Sequence, residues 1–199
     1  FIEPLNTCLK ALETAALETG EIVAVFGQGP VGLLILQAAR NQGAKVIGLD
    51  LLESRLAVAR ELGALAALNP ERDNVHSAIA DLTEGRGVDL AIVAAASPRA
   101  VADAQKVVRR GGRILLFAQT IPGEMIPLDV AQICMEEQKL IGSYSSSVEL
   151  QEKAARLIFD GKVDVARLIS HRFALEMLPE GIRLALHPSE HSLKIVIQP

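Results

Sequence analysis

The sequence predicts a doubly wound α/β fold, in which helices cover both faces of a six-stranded parallel sheet. Short apolar runs alternate with helical patterns along the first three quarters of the chain. Most of these runs are continuously apolar, as strands buried on both faces require. Half of the residues are hydrophobic but only 3% are aromatic, a composition that suits buried strands covered by small-residue helices.

Six apolar runs mark the strands, and helical segments separate them. Successive strands should therefore run parallel and be joined by right-handed crossovers. Two such βαβαβ halves commonly give the strand order 3-2-1-4-5-6. The expected strands are Ile22–Phe26, Lys45–Leu49, Leu65–Leu68, Asp89–Ala95, Arg113–Ala118 and Lys139–Tyr144.

The connecting helices have recognisable ends. Pro30 can occupy the first position of a helix that runs to about Asn41, because its missing N–H is not needed there. Gly43 and Gly63 are typical of the residue that follows a helix. The other expected helices are Leu52–Leu62, Asn74–Leu82, Arg99–Arg110 (started by Ser97-Pro98 and ended by Gly111-Gly112) and Val130–Gln138, which Asp129 can cap.

The alternation of strands and helices stops after Tyr144. The remaining segments do not continue the parallel sheet and predict a return of the chain to another layer. They are a helix at Val148–Asp160, a strand at Leu168–Phe173, a short helix near Pro179–Leu186 and a last strand at Leu193–Ile197.

Composition and charge argue against several classes of function. The net charge is −4 and no dense Lys/Arg run occurs, so we expect neither nucleic acid nor an anionic membrane surface as partner. No apolar run reaches the roughly 18 residues that a bilayer crossing needs. Cys8 and Cys134 have no ligand-like spacing and predict reduced thiols in a cytoplasmic protein. Because the chain begins at Phe1 rather than Met, we also expect that further chain precedes it.

A glycine-rich turn predicts a phosphate-binding site. Residues 27–32 read Gly-Gln-Gly-Pro-Val-Gly, directly after the first strand and at the start of a helix, which is the Rossmann dinucleotide-binding arrangement. Gly27 allows the tight turn, Gly29 lets a pyrophosphate approach the backbone, and Gly32 allows close packing of helix on sheet. The N–H groups at this helix start, including that of Val31 after Pro30, favour an anion. A tight turn without a ligand is the alternative interpretation.

Asp50 at the end of the second strand predicts NAD as the cofactor. It lies 18 residues beyond Gly32, where an acid accepts hydrogen bonds from the adenosine ribose. A 2′-phosphate would bring like charge against this carboxylate, which disfavours NADP. We place Leu51 in the same site and expect Arg55, at helical spacing, over the adenine face. A role as helix cap is the alternative for Asp50.

These motifs resemble those of the zinc-dependent medium-chain alcohol and polyol dehydrogenases, including the sorbitol and threonine dehydrogenase branch. The resemblance spans the chain from Glu3-Pro4-Leu5, through the glycine turn, to Ser170-His171-Arg172-Phe173. It also includes Asp50 followed at five and six residues by Arg-Leu, and Glu61-Leu62-Gly63-Ala64. It implies a catalytic domain of GroES-like fold on the N-terminal side, most of which this sequence does not contain. The expected divisions are 1–16 (end of the catalytic domain and connecting helix), 17–147 (NAD-binding domain) and 148–199 (C-terminal helix and return segment).

The resemblance also implies a catalytic zinc ion, which activates the substrate oxygen as a Lewis acid. No Cys/His cluster with zinc-ligand spacing occurs in this sequence, so we expect zinc only in a longer protein. Glu3 matches a position near the metal in the polyol branch. The alternative for Glu3, which is at least as well supported, is an ordinary solvated carboxylate. Lys194 matches a basic position that meets the cofactor pyrophosphate, with an ordinary exposed lysine as its alternative.

The remaining expected cofactor contacts lie where strands end, because a doubly wound sheet keeps its ligand crevice there. Ala95 ends the fourth strand on the adenosine side, and Phe117 and Ala118 end the fifth strand near the nicotinamide. The sixth strand leaves an open sheet edge near Ser143. Together with the resemblance, this edge predicts a homodimer.

The leading hypothesis is therefore the cofactor domain of an NAD-dependent, zinc-type dehydrogenase that oxidises an alcohol or polyol. The chain alone should bind NAD without catalysing turnover. Two alternatives remain open at this point. One is a zinc-free quinone or enoyl reductase of the same superfamily, against which Asp50 argues because such enzymes prefer NADPH. The other is a non-catalytic NAD-sensing module, which would not be expected to carry Glu3-Pro4-Leu5 or the returning C-terminal segments.

Overall fold

A six-stranded parallel sheet forms the centre of the molecule, in a computed structural model that describes residues 1–199. Every neighbouring pair in the sheet is parallel and the order is β3-β2-β1-β4-β5-β6, which confirms the predicted fold class and strand order. The strands are β1 (Ile22–Phe26), β2 (Lys45–Leu49), β3 (Ala66–Leu68), β4 (Val88–Val93), β5 (Val108–Leu116) and β6 (Lys139–Gly142). A separate parallel pair holds β7 (Ile169–Ala174) and β8 (Lys194–Gln198).

Eight α-helices surround the strands. Three of them begin with a side-chain cap: Asn74, Ser97 and Asp129 each accept the N–H of the residue three positions on. Single 3₁₀ turns occupy Val148–Leu150, Ala166–Leu168 and Leu175–Met177. The helices are α1 (Ile2–Thr14), α2 (Pro30–Asn41), α3 (Glu53–Glu61), α4 (Val75–Leu82), α5 (Pro98–Val107), α6 (Val130–Met135), α7 (Gln151–Phe159) and α8 (Leu178–Leu186).

The predicted helix Arg99–Arg110 is wrong at its end. Helix α5 stops at Val107, and the next residues already belong to β5, so Gly111-Gly112 lies inside a strand. The physical reason is close backbone packing beside Gly87, where a Cβ would lie 2.8 Å from the carbonyl oxygen of Val107. The glycine therefore allows the chain to leave the helix three residues early and pair Val108 with Val88.

The core lies on both faces of the sheet. One cluster of 25 buried residues joins the sheet to α1, α2, α3 and α7, and a second cluster of 13 joins it to α4 and α5. The side chains of Leu5, Leu9 and Leu12 in α1 are at most 1% exposed. The N-terminal helix is therefore part of the packed core beneath the sheet rather than a loose extension.

Asp89 fixes the amino ends of β1, β4 and β5. Its carboxylate accepts hydrogen bonds from the N–H of Ile22 at 2.8 Å, from Nε of Arg109 at 2.7 Å, and from the guanidinium of Arg86. Burial acts to raise the pKa of this carboxyl group, but these three donors outweigh it and hold the pKa at about 2. The cluster lies at the end of the sheet opposite to the glycine-rich turn.

The helices are too short or too polar to cross a bilayer: none of them meets both the length and the hydropathy that a membrane-spanning helix needs.

Candidate functional site

A cleft of about 530 Å³ opens at the carboxyl ends of β1, β2 and β4. Strand order reverses between β1 and β4, and open α/β sheets bind their ligands at such a switch point. Half of the sixteen lining residues are hydrophobic, and the charged ones are Asp50 after β2, Arg55 on the first turn of α3, and Arg99 and Asp103 on the first two turns of α5. Six of the residues expected from the sequence line this cleft: Gly27, Gly29, Asp50, Leu51, Arg55 and Ala95.

The glycine-rich turn has the geometry that its sequence predicts. Gly27 has φ +96°, and a Cβ there would lie 3.0 Å from the Cβ of Ala95. At Gly32 a Cβ would lie 1.8 Å from the carbonyl oxygen of Gly27, so no larger residue fits this turn. Gly29 differs from both, because the only atom within 4 Å of its ideal Cβ is Nη1 of Arg55, at 3.9 Å. The space over Gly29 is thus open to the cleft.

Helix α2 presents its start to the same space. Gly29 is the N-cap and Pro30 follows it at the first position. The first helical hydrogen bond runs from the N–H of Leu33 to the carbonyl oxygen of Gly29, at 3.0 Å. Val31 and Gly32 come before that bond, so their N–H groups are the ones a helix leaves for a capping ligand.

Asp50 connects the second strand to the glycine-rich turn. Its Oδ2 accepts the backbone N–H of Gln28 at 2.7 Å, and its Oδ1 accepts that of Leu52 at 2.9 Å. The residue is 9% exposed and lines the cleft. A carboxylate offers about four acceptor positions, and Oδ2 also has Nη1 of Arg55 at 3.5 Å, so Oδ1 is the oxygen that keeps a position for a hydroxyl group of a ligand. Asp50 is not the N-cap of α3, which is Leu52.

Arg55 lies between Asp50 and the open face of Gly29. Its Nη1 is 3.5 Å from Oδ2 of Asp50, a loose ion pair. Its Nε is buried and has no acceptor. Buried donors in proteins are nearly always paired, so this N–H is suited to an acceptor atom of a bound molecule. The donors and acceptors of this half of the cleft thus fit a nucleotide that has both phosphate and sugar hydroxyl groups.

The other expected cofactor residues lie outside the 530 Å³ cleft. Pro30, Val31 and Gly32 continue the turn into α2. Phe117 and Ala118 follow β5, and each donates its N–H to the carbonyl oxygen of Val93, at 3.1 and 3.0 Å. They lie at the carboxyl end of the sheet, as expected, but on the β5 side of the switch point.

Lys194 is exposed at the first position of β8 and lines none of the larger cavities. Its carbonyl oxygen accepts a hydrogen bond from the hydroxyl of Ser170 at 3.3 Å. Its neighbour Leu193 lines a cavity of about 280 Å³ together with Arg55, so β8 begins close to α3, and the contact of Lys194 with the pyrophosphate stays a prediction.

Residues 1–199 do not form a complete zinc site by themselves. Nowhere in residues 1–199 do three His, Cys, Asp or Glu side chains come close enough to hold a metal ion. Glu3 lies exposed in the first turn of α1. The nearby Cys8 is buried, and burial raises the pKa of its thiol to about 12, which leaves it protonated rather than a thiolate ligand.

Sequence reasoning missed part of the cleft wall. Pro70 follows β3 by two residues, and Ser97 caps α5 just after β4, so the carboxyl-end rule applied to each strand would have found both. Arg99 and Asp103 lie one turn apart on α5, and their ion pair spans 3.5 Å between Nε and Oδ2. Their presence depends on how α5 is set against the cleft, which no local pattern in the sequence reveals. Phe26, Leu49, Leu52 and Ala100 also line the cleft.

Comparisons with known protein families and sequences both identify dehydrogenases as relatives of this chain. Residues 30–160 match the family model described as zinc-binding dehydrogenase. A sorbitol dehydrogenase of Bacillus subtilis (strain 168) is 31% identical over 200 residues, covering 100% of this chain and 56% of the relative. The chain thus spans just over half the length of the curated relatives that it matches.

Solved structures show the same similarity. The 2R,3R-butanediol dehydrogenase from Bacillus subtilis superposes with a TM-score of 0.89 at 26% identity, covering 100% of this chain and 56% of the other. A zinc-binding dehydrogenase from Sinorhizobium meliloti 1021, described as putative and bound to NADP, has a TM-score of 0.92 at 28% identity, covering 100% of this chain and 58% of the other. Both similarities extend over the whole chain and include the cleft.

Proposed function

The chain belongs to the zinc-binding dehydrogenase family, and we propose that it is the NAD-binding part of a dehydrogenase that oxidises an alcohol or polyol. The observation that carries this proposal is the open space over Gly29, beside Asp50 and the start of α2. A pyrophosphate needs the bare backbone of Gly29, and the adjoining ribose needs an acceptor such as Asp50. In this proposal residues 17–147 bind the cofactor, and residues 1–16 and 148–199 connect it to a catalytic domain.

We propose NAD rather than NADP as the preferred cofactor. Oδ1 of Asp50 keeps an acceptor position that suits a ribose hydroxyl group, whereas a 2′-phosphate would meet the negative charge of the carboxylate. One solved relative, the zinc-binding dehydrogenase from Sinorhizobium meliloti 1021, is bound to NADP. Arg55 lies 3.5 Å from Asp50, and its positive charge would partly offset the repulsion between Asp50 and a 2′-phosphate. We therefore expect NADPH to bind more weakly than NADH but still measurably.

The residues of this chain would bind and orient the cofactor. Bound NAD supplies the hydride acceptor of the reaction. The amide groups of residues 27–32 hold its phosphates, Asp50 fixes the adenosine ribose, and Phe117 and Ala118 border the nicotinamide side in this proposal. Residues 1–199 form no cluster of metal ligands, so in this proposal the zinc ion of the longer enzyme is held mainly by residues outside them.

Two measurements test this function together. Titration with NADH, followed by the change in nicotinamide fluorescence, should show saturable binding that is tighter than that of NADPH. The same preparation, given NAD, zinc and a panel of alcohols and polyols, should form no NADH. Absence of saturable NADH binding contradicts the cofactor assignment, and robust turnover contradicts the assignment of catalysis to residues outside this chain.

We also propose a homodimer through the sheet edge. β6 pairs only with β5, so one side of its backbone is unpaired. Large apolar side chains are exposed on β6 and on the preceding helix α6: Leu140 is 43%, Val130 72% and Met135 70% exposed. Light scattering should give twice the chain mass, and a monomer at micromolar concentration would contradict the proposal.

A cytoplasmic location completes the proposal. We propose this location because the two cysteines, Cys8 and Cys134, are unpaired and would suit a reducing compartment. Small-molecule alcohols or polyols would be the substrates of the longer enzyme.

A further inference from the structure

The side chain of Gln28 is turned away from the cleft and holds the glycine-rich turn from behind. Gln28 is 0% exposed, although its neighbours Gly27 and Gly29 both line the cleft. Its Nε2 donates to the carbonyl oxygen of Val25 at 2.8 Å and to that of Gly27 at 3.2 Å. The amide therefore folds back onto the end of β1 and fixes the carbonyl group of the first glycine of the turn.

Strand β2 leaves the room that this side chain occupies. A Cβ at Gly48 would lie 2.9 Å from Cδ of Gln28 and 3.1 Å from its Oε1. Gly48 pairs with Val25 in the sheet and does not have a positive φ angle, so its own backbone conformation does not require glycine. The amide of Gln28 cannot swing aside without giving up its two carbonyl acceptors. The lack of a side chain at position 48 is thus explained by the presence of Gln28.

Packing alone does not account for an amide in this slot. Its Oε1 is buried and has no hydrogen-bond partner. A buried acceptor without a partner lowers stability, and an apolar side chain of similar length would avoid that loss. What the amide supplies, and an apolar side chain cannot, is the pair of N–H bonds to Val25 and Gly27.

The carbonyl group of Gly27 is the point through which these bonds act on the binding site. A Cβ at Gly32 would lie 1.8 Å from this oxygen, so the first turn of α2 packs directly against it. The N–H groups of Val31 and Gly32, which a helix leaves for a capping ligand, belong to the same turn. Holding the Gly27 carbonyl group therefore also holds the start of α2, and binding groups need such support from the residues behind them.

We propose that Gln28, seated against Gly48, is a positioning residue that keeps the glycine-rich turn in the conformation that accepts a diphosphate. The proposal deepens the proposed function and rests on it, because it requires a dinucleotide at this turn. The side chain of Gln28 does not line the cleft, so it acts only through the backbone of the turn. Its loss should weaken ligands that carry a diphosphate more than ligands that carry none.

Gln28→Met tests the role of the two N–H bonds. Methionine has a similar length and fills the slot but donates no hydrogen bond. We expect the affinities for NADH and ADP-ribose to fall about fivefold, because the ligand must then order the turn without a contribution of roughly one net hydrogen bond. The affinity for adenosine, measured by competition with NADH, should fall by less than about twofold, because adenosine meets the turn only through Asp50. The melting temperature should change little, since removal of the unpaired Oε1 offsets the loss of the two bonds.

A pair of alanine variants tests the contact between Gln28 and Gly48. Gly48→Ala alone should weaken the binding of ADP-ribose by a similar factor, because the new methyl group displaces the amide. In Gln28→Ala the space beside position 48 is empty, so the addition of Gly48→Ala should cause no further loss. Losses that multiply in the double variant would show that the two residues act independently, and would overturn the proposal.

Gln105→Met provides the matched control. Gln105 is also a buried glutamine, and its side chain donates to the carbonyl oxygen of Asp129 at 2.7 Å and accepts the N–H of Asp129 at 3.0 Å. These bonds connect α5 to the start of α6 and involve no residue of the glycine-rich turn. The variant should bind NADH, ADP-ribose and adenosine as the unaltered chain does, even where its melting temperature falls.

The possible outcomes distinguish this inference from the proposed function. If the unaltered chain fails to bind NADH, the proposed function itself is wrong. If it binds NADH and Gln28→Met binds ADP-ribose equally well, only the role of Gln28 is wrong. Equal losses for adenosine and ADP-ribose would also overturn that role, because they indicate a general change of the cleft. Should Gln28→Met fail to fold, Gly48→Ala decides the question, and an unchanged affinity of that variant for ADP-ribose would overturn the proposal.

Discussion

The backbone N–H of Gln28 donates to Oδ2 of Asp50 at 2.7 Å, and this bond ties the phosphate turn to the end of β2. The glycine-rich turn and Asp50, which lie about 22 residues apart in the sequence, are therefore directly connected in the structure. Displacement of the carboxylate would displace the turn, and loss of the turn would release the carboxylate. The proposed phosphate and ribose contacts are consequently expected to be coupled.

Substitution of the two neighbouring glycines should separate folding from binding. In Gly32→Ala the new Cβ would lie 1.8 Å from a backbone oxygen, so we expect a loss of about 3 kcal/mol in the free energy of unfolding. In Gly29→Ala the nearest atom is 3.9 Å away, so stability should change by less than about 0.5 kcal/mol. Urea unfolding of both variants measures this, and equal destabilisation would contradict the geometry.

Asp50→Asn should change the cofactor preference. The amide oxygen can still accept one N–H, but the charge that repels a 2′-phosphate is removed. We expect the affinity for NADH to fall about tenfold and the ratio of NADPH to NADH affinity to rise. Fluorescence titration of both cofactors measures the ratio. Asp160→Asn, an exposed site at the end of α7, is the control and should leave the ratio unchanged.

The fold was predictable wherever a local pattern decides it. Continuous apolar runs gave the strands to within a few residues, because burial on both faces excludes polar side chains. The end of α5 was not predictable, since it depends on the approach of Val107 to Gly87, which lie 20 positions apart. Within the site, the roles of Gly27 and Gly29 could be predicted, because a tight turn and a close approach to the backbone each require a glycine. The placement of Arg99 on the cleft wall follows only from tertiary packing.

Asp89 should make stability depend on pH at the acid end. Its pKa is about 2 in the folded state, below the ordinary value of 3.8, so the unfolded chain binds this proton more readily. The contribution is therefore fully present above about pH 4 and is lost as the pH falls towards 2. Asp89→Ala should lower the free energy of unfolding at pH 7 by about 2 kcal/mol.

The same variant checks the origin of the acid sensitivity. Urea unfolding between pH 2 and 6 should show a smaller loss of stability for Asp89→Ala than for the unaltered chain. Parallel pH profiles for the two proteins would show that other carboxyl groups are responsible.

Cys8 should be unreactive in the folded protein. Burial raises the pKa of its thiol to about 12, so the thiol stays protonated at pH 8 and is shielded from reagents in solution. In a Cys134→Ser background, Ellman's reagent should label no thiol in buffer and one thiol in guanidinium chloride. Rapid labelling of the native chain would show that α1 does not pack as described.

Calorimetric titration of NADH into the unaltered chain and into Gly29→Ala tests the central claim most directly. The account predicts a measurable heat with one site per chain for the unaltered protein, and at least tenfold weaker binding when a methyl group fills the space over Gly29. No heat of binding to the unaltered chain, or equal affinity for both proteins, would contradict the assignment of this cleft to a dinucleotide.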